Sequence, residues 1–375
     1  MTRTRNVTSR HRRGLAVLGL LLAIGCSGSN SFTPSSDGLP AEEDSPAAAP
    51  IDSLAAPVDS TAVPADSTTV PPDSLPPIDS LAPGDSLTPD STVISPLIGT
   101  APGIAFAAMG MKAQYIGAPF NGSKYGVIPA WTMAELSTAR SKGGRMILEL
   151  ASGSDDNIQN SDGTFSLTKW KAMVLAFKPL ALGSYITDGT LMGHFLIDEP
   201  QNARKWGGKA IPHTTVEAMA QYSKQLWPSL PTFVRAAPTW LEKSPITYTY
   251  LDAAWTQYEA YFKGRPAMPE VNTWITAEVA AAKRKRLGLI VGLNILDGGN
   301  GSSGFRGWMT GNYAMSATEI RNYGTALLKQ SYACGFFSWT YLYSGATYMA
   351  KPAIRSVLTE LSNMAKAHVK TSCRQ

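Results

Sequence analysis

Acidic and aromatic side chains accompany the short apolar runs of this sequence, close enough to suggest a shared site. The acidic ones are Glu149, Asp155, Asp156, Asp198, Glu199, Asp252 and Asp297, and the others are Arg235, Trp255, Tyr258, Trp339, Tyr341 and Tyr343. Carboxyl groups act as acids and bases on acetals, and flat aromatic rings pack against the apolar faces of sugar rings. This inventory therefore predicts a carbohydrate site.

The apolar runs themselves have the length of β-strands, and helical patterns separate most of them. The runs cover residues 103–109, 145–151, 192–197, 232–236, 250–255, 289–296 and 336–341. Strands that alternate with helices require a parallel sheet with helices outside it, either open or closed into a barrel. Because the strand count and the length suit it, we expect a (β/α)8 TIM-type barrel, with a short eighth strand within Lys124 to Ile128.

Three helix starts carry the capping-box pattern Ser/Thr-x-x-Glu. The pattern occurs at Thr132 to Glu135, Thr214 to Glu217 and Ser316 to Glu319. A capping box satisfies free backbone amides at the first turn, so each site predicts a helix beginning there. In a barrel of this kind, function gathers at the carboxyl ends of the strands.

Two segments resemble clan A glycoside hydrolases. The segment from His194 to Pro200, with the sequence HFLIDEP, resembles the end of their fourth strand, where an acid/base glutamate precedes a proline. The segment from Phe336 to Tyr341 resembles their last strand, which commonly ends in a sugar-binding tryptophan. Counting back from that strand places Asp297 where the family has its nucleophile. Two residues depart from the pattern: Asp198 replaces an asparagine and Asp297 replaces a glutamate, which leaves retaining catalysis open.

The resemblance implies roles for these residues, and each role has a structural alternative. We expect Glu199 to be the proton donor and Asp297 or Asp252 to be the second carboxylate, with Glu149 as a further alternative, while Asp198 positions its neighbours. Glu199 could instead be a salt-bridged structural group, and Asp297, beside two glycines, a turn residue. The residues expected to bind substrate are Trp339, Tyr341, Trp255, Asp252, Glu149 and Arg235.

Other chemistries find little support. The GxGxxG pattern at 299–304 is followed by a helix only near Ser316, so its glycines cannot place a pyrophosphate at a helix start. Ser302 and Ser303 lack a nucleophile elbow. Cysteines and histidines show no metal-ligand spacing, so we expect no metal and no cofactor. The one dense basic run, 283–286, suits a helix end rather than nucleic acid.

The amino terminus indicates export and lipid attachment. Arginines precede an apolar stretch from Leu15 to Ile24 that is too short to span a bilayer, and Leu22 to Cys26 resembles the bacterial lipobox. We expect residues 1–26 to be a lipoprotein signal peptide and Cys26 to be lipidated, with a plain secreted protein as the alternative. Because Ser27 and not aspartate follows, we expect the outer membrane or cell surface.

Residues 27–98 are rich in Pro, Ser, Ala and Asp and contain no Lys or Arg. This composition predicts a disordered linker, followed by one folded domain over 99–375. The whole chain carries a net charge of +5; without the five signal-peptide arginines and the eleven linker acids, the domain carries +11. A basic domain on an acidic linker suggests an anionic partner or substrate; the alternative is that the charge merely keeps the domain from sticking to its own linker.

Cys334 and Cys373 form an even pair in an oxidising compartment, so a disulfide on the amino-terminal face of the barrel is expected. We expect a monomer. The sequence thus predicts a surface-tethered, glycoside hydrolase-like protein that acts on a poly- or oligosaccharide by carboxylate acid/base catalysis. The alternative is a barrel lipoprotein with a carbohydrate-binding or structural role and no catalysis.

Overall fold

A computed structural model describes residues 102–369 and 372–374 of the chain. The predictions for the signal peptide, for Cys26 and for the linker lie outside these residues. In the part of the chain that is described, no helix is both long and apolar enough to cross a bilayer.

The described chain forms a (β/α)8 barrel, as predicted. Its strands are β1 (Ala105–Ala108), β2 (Gly122–Gly126), β3 (Arg145–Glu149), β4 (Leu191–Asp198), β5 (Thr232–Arg235), β6 (Ala253–Trp255), β7 (Gly288–Val291) and β8 (Ala333–Ser338). They pair in parallel from β2 through β8, and β8 pairs with β1. Met109 bridges Lys124, and the Gly110 amide donates to the Lys124 carbonyl at 2.8 Å, so β1 meets β2.

Helices surround the strands. They are α1 (Pro129–Ser141), α2 (Leu167–Leu175), α3 (Gly183–Thr187), α4 (His213–Leu226), α5 (Pro238–Glu242), α6 (Val271–Arg284), α7 (Ala317–Leu328), α8 (Gly345–Met349) and α9 (Pro352–Ala367). Between β1 and β2 there is only a 3-10 turn, Ala113–Tyr115. Helix α9 covers this gap, since the Ser362 hydroxyl donates to the Pro119 carbonyl and the Ile104 amide donates to Ala365.

A layer of large side chains from alternate strands fills the barrel interior. The ammonium group of Lys124 lies 4.3 Å from the centre of the Phe195 ring, Phe195 packs edge-on against Trp255 at 5.6 Å, and Trp255 packs against Phe337 at 5.8 Å. These residues come from β2, β4, β6 and β8. Contact between strands that are not neighbours is possible only inside the barrel, where four side chains form one layer.

All seven predicted strands are present, and the eighth spans Gly122–Gly126. Five of the seven are shorter than predicted, and for two of them the difference has consequences for the site. The strand predicted at 250–255 begins only at Ala253, and the one predicted at 289–296 ends at Val291. Asp252 therefore precedes its strand, and Asp297 stands well beyond the end of its own.

One predicted capping box is confirmed and two are wrong. Ser316 and Glu319 form the reciprocal box at the start of α7. Helix α1 instead begins at Pro129, and Glu135 accepts the Ala113 amide at 2.7 Å. Helix α4 begins at His213, and Glu217 accepts the amides of the segment 249–251. Both glutamates accept hydrogen bonds from backbone amides that are distant in sequence, and a local sequence pattern does not reveal such contacts.

At the amino-terminal face, Cys334 and Cys373 are joined in a disulfide, the pairing that the sequence predicts. Asp252 lies at this face as well: it forms an ion pair with Lys224 of α4 at 2.6 Å, and it accepts the Thr232 amide at 2.8 Å. The expectation that Asp252 serves as a second catalytic carboxylate or binds substrate is corrected, because the strand carries it to the opposite end of the barrel.

Candidate active site

A cavity of about 260 Å³ opens beyond the carboxyl ends of β4, β5 and β6. Polar side chains from four connections converge on it, among them Glu199, Arg235, Gln257, Glu259 and Asn294. Glu278 of α6 also lines it, with its carboxyl group accepting the amide and the hydroxyl of Thr239. Trp255 forms part of its wall, fully buried, with its indole N–H donating to the Phe337 carbonyl at 3.1 Å. The sequence predicted three of these residues, Glu199, Arg235 and Trp255, and the fold brings them to one place.

Arg235, the last residue of β5, joins the two acidic residues that follow β4. Its guanidinium contacts Asp198 through both Nε and Nη2, and Nη2 also lies 3.0 Å from Oε1 of Glu199. Lys205 adds a second cation, 3.2 Å from Asp198 and 3.2 Å from Asp155. Burial alone would raise the pKa of Asp198, but these cations outweigh it and hold that pKa below its ordinary value. Asp198 is therefore ionised and positions Arg235.

Glu199 has an unusual backbone conformation. Its φ is +48°, in the left-handed region that side-chain-bearing residues adopt at a cost. The surrounding structure holds it there: its amide donates to the Arg235 carbonyl at 3.1 Å, and its own carbonyl accepts the Trp206 indole N–H at 3.0 Å. The conformation directs the carboxyl group into the cavity rim, where it is only 3 % exposed.

The carboxyl group of Glu199 accepts a hydrogen bond from the Asn202 amide at 3.3 Å in addition to its contact with Arg235. Burial raises the pKa of Glu199, and the negative charge of Asp198 raises it further, whereas Arg235 opposes both effects. Arg235 thus gives this otherwise buried acid a cation against which it can ionise.

Glu259 is a second buried carboxyl group at the cavity, and the sequence reasoning missed it. It is 6 % exposed and lies four residues beyond β6, and its Oε1 accepts the Asn294 amide at 3.2 Å. Burial, reinforced by the charges of Asp297 and Glu199, raises the pKa of Glu259 to about 8. The apolar run at 250–255 predicts a strand that contains Asp252, whereas the strand that forms is shorter and Glu259 lies beyond its end.

Asp297 does not line this cavity; it anchors the loop that follows β7. It is 1 % exposed, and its Oδ1 accepts the Met309 amide at 3.0 Å. A Cβ atom at Gly307 would lie 2.1 Å from the same oxygen, so only glycine permits this approach. Burial raises the pKa of Asp297 to about 6. Its contacts make Asp297 an anchor for the backbone that carries Trp308.

Aromatic rings cluster beside the site. The ring of Trp308 stacks on Tyr343 at 3.6 Å, and Tyr343 lies 6.3 Å from Trp339, the predicted platform residue. Trp308 is 51 % exposed, whereas Trp339 is buried. Tyr341 packs instead against Tyr115 on the β1–β2 connection, 5.2 Å away. Next to Trp339, the exposed aromatic surface is therefore formed by Trp308 and Tyr343.

The other predicted residues have structural partners. Glu149 forms an ion pair with the buried Lys124 at 2.5 Å, at the end of β3. Asp155 contacts Lys205, and burial raises its pKa to about 6. His194 lies inside β4, where its Nδ1 is 2.8 Å from the Ser223 hydroxyl and burial lowers its pKa to about 3. In residues 102–369 and 372–374, no group of three His, Cys, Asp or Glu side chains could hold a metal ion.

Among known proteins, this chain shows similarity of structure to other barrels but no significant similarity of sequence to a family or a curated protein. No family model matches the chain, and no curated protein gives a significant match. Solved structures that it resembles include glycoside hydrolases. One is the β-glucanase SdGluc5_26A from Saccharophagus degradans, at 11 % identity and a TM-score of 0.48, covering 71 % of this chain and 88 % of that one.

A second is PbGH5A, a glycoside hydrolase family 5 enzyme from Prevotella bryantii B14, at 13 % identity and a TM-score of 0.45, covering 70 % of this chain and 96 % of that one. A GH18 chitinase from Pseudoalteromonas aurantia has 10 % identity and a TM-score of 0.40, covering 68 % and 98 %. Likeness of this degree says nothing about activity. The fold itself follows from the strand order.

Proposed function

We propose that the domain is a glycoside hydrolase-like enzyme that acts on a poly- or oligosaccharide by carboxyl acid/base chemistry, with Glu199 as one of its two reacting acids. One observation carries the proposal: Glu199 and Glu259, both buried, line the same cavity at the carboxyl-terminal face of a barrel. Most enzymes that hydrolyse glycosidic bonds use two carboxyl groups with different protonation states. Glu199 has the guanidinium of Arg235 beside it, whereas Glu259 accepts a hydrogen bond from the neutral Asn294 amide, so the two groups can differ in protonation state.

The rings beside the cavity support a carbohydrate as the ligand. Trp308 and Tyr343 present a stacked aromatic surface to solvent, and a sugar ring can place its apolar face on such a surface. The backbone of Trp339 bridges Asn294, whose amide holds Glu259. The aromatic cluster and the carboxyl pair are thus joined through neighbouring strand ends.

A second candidate is a barrel that binds carbohydrate without cleaving it. The observation in its favour is the network of Asp198, Arg235, Lys205 and Asp155, in which each acid has a cation within 3.2 Å. Such a network can be purely structural, since a buried acid that lacks a partner is far costlier than a paired one. In that case Glu199 would be held by Arg235 as one more structural acid.

The test is a screen of the purified protein against a broad panel of glycans, scored for binding and for release of reducing ends. We expect at least one glycan to be cleaved by the wild type and bound but not cleaved by Glu199→Gln. The matched control is Glu217→Gln, which removes a charge from α4 and should leave cleavage unchanged. Binding without cleavage by the wild type would favour the second candidate, and neither binding nor cleavage would reject both.

We also propose, from the sequence alone, that the domain is tethered to the outer membrane or cell surface through Cys26. Attachment of acyl chains to an amino-terminal cysteine anchors a protein durably, because each buried methylene adds about 0.8 kcal/mol. Metabolic labelling with a fatty acid should mark the wild type and leave Cys26→Ser unlabelled. Equal labelling of both would reject the lipid anchor without affecting the proposal for the domain.

A further inference from the structure

We propose that Glu259 is the group that donates a proton to the departing sugar oxygen, and that Glu199 is its ionised partner, which takes a proton from the attacking water. The inference rests on the proposed function and reverses the role that the sequence suggested for Glu199. It follows from how the structure surrounds each of the two carboxyl groups.

The contacts of the two acids differ in charge. Glu199 has the guanidinium of Arg235 at 3.0 Å and the Asn202 amide at 3.3 Å. Glu259 accepts its hydrogen bond from a neutral donor, the Asn294 amide, at 3.2 Å. None of the ion pairs found within residues 102–369 and 372–374 includes Glu259. A cation at hydrogen-bond distance favours the carboxylate, so Glu199 ionises before Glu259.

The charged groups that face Glu259 act in the same direction. Asp297 and Glu199 are the acids that influence it, and Arg235 is the opposing cation, already engaged with Asp198 and Glu199. Arg235 is therefore shared among acids that outnumber it. A second negative charge at Glu259 would be buried without an adjacent cation, which is costly.

Asn294 fixes the orientation of Glu259. Its side-chain Oδ1 accepts the Asp297 backbone amide at 3.2 Å, so its Nδ2 is directed at Glu259. The amide contact occupies Oε1 and leaves the other carboxyl oxygen to carry the proton. Burial, with Asp297 and Glu199 nearby, raises the pKa of Glu259 to about 8, in agreement with a group that stays protonated at neutral pH.

The proposed reaction balances as follows. The bond between the anomeric carbon and the bridging oxygen breaks, its electron pair goes to that oxygen, and the oxygen takes the proton of Glu259. A water oxygen bonds to the anomeric carbon and gives its proton to Glu199. The products are the shortened sugar and an alcohol, and exchange with solvent returns a proton to Glu259 while Glu199 loses one.

The first test measures protonation directly in the full chain. Glutamate side-chain carboxyl carbons are labelled with ¹³C and titrated by NMR, and the signals are assigned by their loss in Glu259→Gln and Glu199→Gln. We expect the Glu259 signal to remain that of a protonated acid at pH 7 and to titrate near pH 8, after Glu199. If Glu259 is ionised at pH 7, or titrates before Glu199, the inference is overturned.

The second test uses the leaving group, on a glycan that the wild type cleaves and on an aryl glycoside of the same sugar. An aryl leaving group of low pKa departs without a proton. Glu259→Gln should therefore lose about 10²- to 10⁴-fold in turnover on the glycan and far less on the aryl glycoside, while Glu199→Gln should lose turnover on both. Glu217→Gln is the control.

The outcomes separate the two proposals. Wild-type turnover of the glycan by Glu259→Gln overturns the inference and leaves the proposed function standing. A leaving-group dependence that appears in Glu199→Gln and not in Glu259→Gln also overturns it, because the roles are then those predicted from sequence. Absence of cleavage of any glycan or aryl glycoside rejects the proposed function, and the catalytic role of Glu259 with it.

Discussion

The two ends of the barrel carry the same kinds of side chain and use them differently. At the amino-terminal face, Asp252 forms an ion pair with Lys224 at 2.6 Å and accepts hydrogen bonds from the amide and the hydroxyl of Thr232. The disulfide between Cys334 and Cys373 lies at the same face. At the carboxyl-terminal face, acids outnumber the cations that contact them: Glu149, Asp155, Asp198, Glu199 and Glu259 stand with Lys124, Lys205 and Arg235.

This difference in the ratio of acids to cations distinguishes acids that stabilise the fold from acids that can take part in catalysis. An acid matched by a cation and by a backbone amide stabilises the fold, as Asp252 does through Lys224 and the Thr232 amide. An acid in excess of the cations, buried in a cavity, must keep its proton, which makes it useful as a catalytic acid. Mutations at the two ends should therefore have opposite effects: loss of activity at one, and loss of stability at the other.

The largest expected effect is at Glu199. Glu199→Gln keeps the shape and the hydrogen bond from Asn202 but cannot ionise, so turnover on a cleaved glycan should fall by about 10²- to 10⁴-fold. The melting temperature should change little. The counterpart, Asp252→Asn, should lower the melting temperature by breaking its pair with Lys224, and should keep turnover at 25 °C. Loss of turnover in Asp252→Asn with an intact fold would break the comparison.

Removal of the disulfide should be the next largest effect. The bond closes a loop of 39 residues, so replacing Cys334 and Cys373 together by alanine should reduce the free energy of unfolding by about 2–4 kcal/mol. Denaturant unfolding of the wild type with and without reductant measures it independently of the substitutions. Turnover under native conditions should stay the same, since the bond lies at the face opposite the cavity; a parallel loss of turnover would couple the two ends.

The pH dependence of stability should show the buried proton of Glu259. Its pKa is raised from 4.5 to about 8, so the folded state keeps a proton that the unfolded state loses. The free energy of unfolding should consequently fall as pH rises from about 4.5 to about 8. Glu259→Gln removes this contribution. From pH 5 to pH 8.5, the melting temperature of the variant should therefore rise relative to that of the wild type. Parallel melting curves at both pH values would show that Glu259 is not held protonated.

The smallest expected effect concerns the aromatic surface. Trp308→Ala should weaken glycan binding about tenfold and leave the melting temperature unchanged, because the ring is half exposed. Tyr250→Ala, which removes an exposed ring near Asp252 at the other end, is the control and should bind as the wild type does. Calorimetric titration with the same glycan compares them. Equal affinities of the wild type and Trp308→Ala would remove Trp308 from the ligand site.

Strand ends explain both the successes and the errors of the site prediction. Glu199 was predicted because the apolar run at 192–197 ends two residues before it, and β4 does end nearby, at Asp198. Glu259 was missed because the run at 250–255 suggested a longer strand than the three residues that pair, Ala253–Trp255. A shift of a few residues in the start of this strand decides which acid lies at the site, because Asp252 lies at the amino-terminal end of the barrel and Glu259 at the carboxyl-terminal end.

Periodicity, strand count and helix separation within this sequence were sufficient to determine the barrel, because parallel strands that alternate with helices have few ways to close. The same local information located Glu199, Arg235 and Trp255 at strand ends. Only the tertiary structure decided which acid faces Glu199, that Asp297 anchors a loop, and that Glu135 and Glu217 bind distant amides. Those outcomes depend on which donors from other elements come within hydrogen-bond distance, and no local pattern of residues contains that information.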